Sequence, residues 1–223
     1  SETRTQFFET GGPDQPVMLS DGASLPGIRI AYETWGSLNA DRSNAVLLFH
    51  ALSGSHHAAG HNPAIDGVGD MWQEELHSGW WEDMIGPGKA LDTEKYFIVC
   101  ANYLGGCYGS TGPASLDPAT QKPWGSQFPA VTAADQVDVI SRLISSLGID
   151  VLHAVVGPSV GGLIALTYAT RLPAKVRNVI AIASGYKTTV LNRLILFEQI
   201  LAIENDPYFN GGDYYDAAAP LYG

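Results

Sequence analysis

Apolar and polar positions change period several times along this chain, and each change marks an element. The run from Gly27 to Gly36 alternates at period two, which predicts a strand with one face in water. The runs 45–50 and 96–102 are continuously apolar, as expected of strands buried on both faces of a parallel sheet. From about 133 to 147 the period becomes helical. Val137, Ile140, Leu143, Ile144 and Leu147 share a stripe, with Thr132 placed to cap the helix and Gly148 to stop it. A valine-rich strand from Val151, a helix to about Arg171 and a strand over 175–183 follow. Strands alternating with helices imply right-handed crossovers and a mainly parallel sheet flanked by helices, an α/β fold. The first 25 residues read as an extended lead-in with an edge strand or two.

Beyond Ser184 the texture changes. Residues 188–204 read as one helix with Val190, Leu191, Leu194, Ile195, Ile200 and Leu201 apolar, and 205–223 turn polar, aromatic and glycine-rich. The expected division is a core over 1–184 and the start of a helical lid over 185–223.

The strand from Val151 runs into Gly157-Pro158-Ser159-Val160-Gly161, and a helical period begins at once. That order is a nucleophile elbow, in which a sharp strand-to-helix turn lifts a serine above the sheet. The helix returns almost against the strand, so Gly157 and Gly161 must be small. A serine hydroxyl is a poor nucleophile at neutral pH and needs a base, a carboxylate to steer it, and donors for the oxyanion. One donor is expected from the amide of Val160. The other is expected from the loop after the earlier buried strand, His50 to Gly54, with Leu52 chosen. In this architecture acid and histidine follow the nucleophile. The six histidines are His50, His56, His57, His61, His77 and His153, all before Ser159. The catalytic Asp and His are therefore expected beyond Gly223.

Composition narrows the classes. The chain has 223 residues, 45% hydrophobic and 16% charged, with formal net charge −11, which speaks against generic nucleic-acid binding. No apolar run reaches the roughly 20 residues of a membrane span, and Cys100 and Cys107 suit a reducing compartment. A cytoplasmic protein is expected, with no membrane partner.

Several motifs together resemble the homoserine O-acyltransferases of the α/β-hydrolase superfamily. They are His50-Ala51-Leu52-Ser53-Gly54 with His57-Ala58-Ala59-Gly60, then Gly79-Trp80-Trp81 and Ile85-Gly86-Pro87-Gly88. Asn102 with Leu104 to Cys107, Gly109 to Pro113, and Asp206-Pro207 with Gly211 to Tyr215 extend the likeness over nearly the whole chain from Phe7. The resemblance implies transfer of an acyl group from acyl-CoA, a co-substrate rather than a permanent cofactor, to the hydroxyl of L-homoserine on the route to methionine. Ser159 would carry the acyl group in a ping-pong cycle. It also implies a homodimer, and a substrate-binding arginine beyond Gly223. Pro158 and Val160 depart from the family's usual glycine and methionine, leaving room for an altered acceptor such as L-serine.

Acetyl and succinyl donors stay open, as do a plain serine hydrolase and a non-catalytic scaffold. Ser53 is a tentative substrate contact through its hydroxyl. The histidines of the 50–61 loop lack metal-ligand spacing, so no metal is expected and loop hydrogen bonding is. Cys107 shows no cue for thiolate activation. Trp72, Trp80 and Trp81 read as packing, Glu82 and Asp83 as a solvated face, and Asp135 and Asp138 as exposed helix positions.

Overall fold

The computed structural model describes residues 2–215; the expected lid continuation over 216–223 lies outside them. The strands in chain order are β1 (Gln6–Gly11), β2 (Val17–Met18), β3 (Ser24–Leu25), β4 (Gly27–Trp35), β5 (Ala45–Leu48), β6 (Ile85–Gly86), β7 (Leu91–Asp92), β8 (Phe97–Ala101), β9 (Ala154–Pro158) and β10 (Val179–Ile182). The α-helices are α1 (Ala133–Ser146), α2 (Val160–Arg171) and α3 (Val190–Glu204). Six strands form one sheet in the order β1-β4-β8-β5-β9-β10. The four strands β8-β5-β9-β10 are parallel, and β4 and β1 add antiparallel strands beyond β8.

Alternation explains the continuous apolar runs. Leu47, Val99 and Val155 point toward α1 and α2, where Val137, Ile140, Leu143, Ile164 and Tyr168 complete the larger core cluster. Val46, Leu48, Ile98, Cys100 and Val156 point the other way, under the loop that carries Ala58, Ala59, Ile85, Trp80 and Trp81. Each fully buried aliphatic contributes about 1.5–3 kcal/mol, so a strand covered on both sides gains from being apolar throughout.

Two expectations fail, both because residues distant in sequence cover the positions concerned. The supposed wet face of β4 is buried at Ala31 and Glu33. Ser110 Oγ accepts from the Ala31 amide at 3.0 Å, and Thr5, His57 and Asn62 close over Glu33. Asp135 is also buried rather than exposed. It closes a capping box with Thr132 at the start of α1, and its carboxylate accepts from Ser20 N at 2.7 Å and Ser20 Oγ at 3.0 Å. Burial works against its charge, but the bonds from Thr132 and Ser20 outweigh it and hold the carboxyl below its ordinary value. Asp138 is exposed as expected and pairs with Arg171 at 2.8 Å, tying α1 to α2.

Candidate active site

β9 ends at Pro158, α2 begins at Val160, and Ser159 alone makes the turn. Its φ is 53° and its ψ −122°, a conformation costing about 1–3 kcal/mol for a residue with a side chain. Neighbouring backbone holds it there. Ser159 N donates to Ile182 O at 2.9 Å, and Gly162 N donates to Ser159 O at 3.0 Å. Ser184 Oγ also donates to Ser159 O. A Cβ on Gly157 would run into the Gly161 carbonyl, and one on Gly161 into the carbonyl oxygens of Phe49 and His50. A Cβ on Gly162 would strike the Ser184 side chain. The first two positions were legible as steric requirements, whereas Gly162 and Ser184 were missed. Only the doubled glycine hinted at them.

Ser159 is exposed and opens on a cavity of about 480 Å³ beside Leu52, Val160, Ser184 and Asn192. Both amides selected from the sequence therefore belong to residues on the serine's own cavity. Among the described residues, neither the Leu52 nor the Val160 amide has a hydrogen-bond acceptor. Lys187 is the single charged residue of the described lining. Ser53 lies elsewhere: it lines a neighbouring cleft of about 430 Å³ with His50, Asn102, Tyr103 and Cys107, and Leu52 borders both spaces.

The histidine-rich loop spends its polar groups inward. His57 Nδ1 lies 2.7 Å from Glu33 Oε2, and its Nε2 lies 3.0 Å from His77 O. Both partners are acceptors, so both ring nitrogens carry protons and the pair is imidazolium on carboxylate. Burial lowers the His57 pKa, but the Glu33 bond and charge and the His77 carbonyl prevail, leaving it above 6.5. Asn62 and Thr5 donate to Glu33 Oε1 at 2.7 and 3.1 Å, and His56 Nε2 lies 2.9 Å from Thr5 Oγ. Burial, reinforced by His50 and His57, depresses His56 to about 3. Glu33 was missed in the sequence because a lone acid in an alternating strand reads as a wet position. The Glu33–His57 pair looks like an acid–base couple, yet with both nitrogens donating His57 has no lone pair with which to take a proton from serine. Among the described residues none of the histidines is hydrogen-bonded to Ser159, and no group of acids, histidines and cysteines is arranged to hold a metal ion.

A strained serine between a parallel strand and a helix, over a cavity reached from the β5 loop, is matched by a profile for the alpha/beta hydrolase fold over residues 44–223. The chain belongs to that family. Its hydrolase fold superposes on the crystal structure of homoserine O-acetyltransferase from Bacillus anthracis with a TM-score of 0.84 at 33% identity, covering 96% of this chain and 56% of that one. A homoserine O-acetyltransferase of Methanosphaerula palustris is 49% identical over 210 residues, 93% of this chain and 40% of the relative. A homoserine O-succinyltransferase of Azoarcus sp. is 47% identical over 211 residues, 93% of this chain and 53% of the relative. The chain thus spans about half the length of the curated relatives it matches. Within this hydrolase fold Cys100 is buried, its thiol pKa raised by desolvation and by Glu33, whereas Cys107 is exposed. No described helix is long and apolar enough to cross a membrane.

Proposed function

We propose that the protein moves an acetyl group from acetyl-CoA to the hydroxyl of L-homoserine through an acyl-Ser159 intermediate. The observation that carries the chemistry is the elbow: an exposed, strained Ser159 shares one cavity with the unused amides of Leu52 and Val160. The names of the relatives support the acceptor and the thioester donor. Ser159 Oγ attacks the thioester carbonyl as a base takes its proton. The two amides hold the oxyanion, the C–S bond breaks, and the CoA sulfur leaves with a proton. The homoserine oxygen then attacks the acyl carbon as the base takes the homoserine hydroxyl proton, the bond from the acyl carbon to Ser159 Oγ breaks, and the base passes that proton to Oγ. The base, its carboxylate and a substrate-binding arginine are supplied from outside residues 1–223. Lys187 supports binding of an anionic donor in an otherwise acidic chain. A substrate contact of Ser53 is supported by Leu52, which borders both the Ser159 cavity and the cleft that Ser53 lines. The free thiols support a cytoplasmic location, and a homodimer is carried by the family resemblance alone.

Succinyl-CoA is the second donor to weigh, because relatives of nearly equal identity carry either name. Intact mass of the full-length protein mixed with each thioester, with and without L-homoserine, tests the reading. The expected result is an acetyl adduct on Ser159 that disappears as O-acetyl-homoserine forms. A succinyl adduct changes the donor, and an adduct lost equally fast to water makes the protein a hydrolase. No adduct with either thioester overturns the reading.

A further inference from the structure

Ala51 and Leu52 share one peptide plane, and His50 grips that plane from its carbonyl side. His50 Nδ1 lies 2.7 Å from Ala51 O. A carbonyl oxygen only accepts, so Nδ1 carries the ring proton. The Gly54 amide adds a second donation to the same oxygen at 2.9 Å. The described chain contains no cis peptide. In a trans peptide the C=O and the N–H point to opposite sides of one plane, so two donors on Ala51 O set the direction of the Leu52 N–H. They also polarise the peptide and make that N–H a stronger donor.

We propose that His50 is a positioning residue whose Nδ1–H, clamped on Ala51 O, aims the Leu52 amide at an oxygen bound beside Ser159. The inference rests on the reading of Leu52 as an oxyanion donor. Three features hold the clamp. The His50 ring is buried and stacks on Tyr103 with centroids 3.9 Å apart and planes at 28°. Tyr103 Oη donates to the His50 carbonyl, fixing the preceding peptide as well. At Gly54 an added Cβ would sit 3.3 Å from both His50 Nδ1 and Ala51 O, so glycine leaves room for the contact. The same His50 carbonyl lies where a Cβ of Gly161 would fall, so the end of β5 is packed directly on the first turn of α2, which carries the Val160 amide. The two amides are therefore referenced to one another through His50. Burial lowers its pKa to about 4, against the raising effects of Ala51 O and Asn102, so the ring is neutral at neutral pH and adds no charge beside the nucleophile.

The test uses the full-length protein with His50→Phe, which keeps a stacking ring and removes the donor, and His50→Asn, which returns an N–H near the Nδ1 position. Two readouts are paired: the Leu52 amide proton resonance under selective ¹⁵N-leucine labelling, and kcat and KM for acylation of Ser159. For His50→Phe the expected result is an upfield Leu52 resonance and a kcat lower by about 10- to 100-fold at little-changed KM, less than the loss of a whole oxyanion donor. His50→Asn is expected to reverse both in part. Should His50→Phe not fold, Tyr103→Phe loosens the same clamp and is read in the same way, with a smaller fall. An unmoved Leu52 resonance with unchanged kcat overturns the proposal, and so does a fall in kcat that His50→Asn does not relieve. If no thioester acylates wild-type Ser159, the transferase reading fails, while the Leu52 resonance still decides whether His50 orients the peptide.

Discussion

Two polar centres draw on the chain that leaves β5, through Leu52 at one and His57 at the other, and they are built on opposite terms. At Ser159 the backbone is strained, the hydroxyl is exposed, and two nearby amides have no acceptor among the described residues. At Glu33 the carboxylate is buried and accepts from Thr5, His57 and Asn62, and both nitrogens of His57 are spent. The centre richer in titratable groups is the one whose His57 has no lone pair to offer, because both of its ring nitrogens are matched. The poorer centre holds unspent donors and stored strain, which chemistry on an incoming carbonyl requires. Satisfaction, more than the kind of residue, separates the two.

The contrast breaks if the centres respond alike to substitution. The largest expected effect is on Ser159→Ala, which should lower the rate of acylation by about 10⁴-fold or more while leaving thermal unfolding nearly unmoved. Equal thioester turnover by that variant would remove the elbow from the chemistry. Next comes Gly161→Ala, whose Cβ meets the Phe49 and His50 carbonyl oxygens, both backbone atoms with little freedom to yield. A loss of about 3 kcal/mol or more is expected in denaturant titrations, with Ser159 acylation falling as well. Glu33→Gln should cost about 3 kcal/mol by leaving the His57 imidazolium short of its counter-charge, yet acylation per folded molecule should stay near wild type. A loss of activity beyond the unfolded fraction would mean that Glu33 acts in the reaction.

The smallest effect is the pH dependence, and it has two signs. The folded pKa of His57 lies above 6.5, so its contribution is fully present below 6.5 and is lost as pH rises through the folded value. His50 and His56 are depressed to about 4 and about 3, so their contributions are present above 6.5 and are lost as pH falls through those values. Melting temperature plotted against pH should therefore fall at the alkaline end less steeply in His57→Gln than in wild type. An unchanged alkaline slope would rule out the ion pair.

Much of this was legible where spacing and sterics act locally. The elbow, the two-faced burial of β5 and β8, and the Thr132 cap follow from short stretches whose neighbours in sequence are their neighbours in space. What escaped depended on distant chain. Asp135 read as an exposed helix position because nothing near it announces Ser20, and Glu33 read as wet because its cover comes from Thr5, His57 and Asn62. Ser184 lies 25 residues beyond the serine whose carbonyl it holds. The roles expected of Leu52 and Val160 concern backbone amides, so side-chain identity carries little information there, and Ser53 lines the cleft next to the Ser159 cavity.

The grip of Ser20 on Asp135 has a consequence for the order of folding. The capping bonds between Thr132 and Asp135 close over three residues, whereas the Ser20 contact closes over 115. Loop-closure entropy delays the second far more than the first, so α1 is in place before the lead-in docks. The strap is then a late, low-φ element: weakening it speeds unfolding and leaves the folding rate almost untouched.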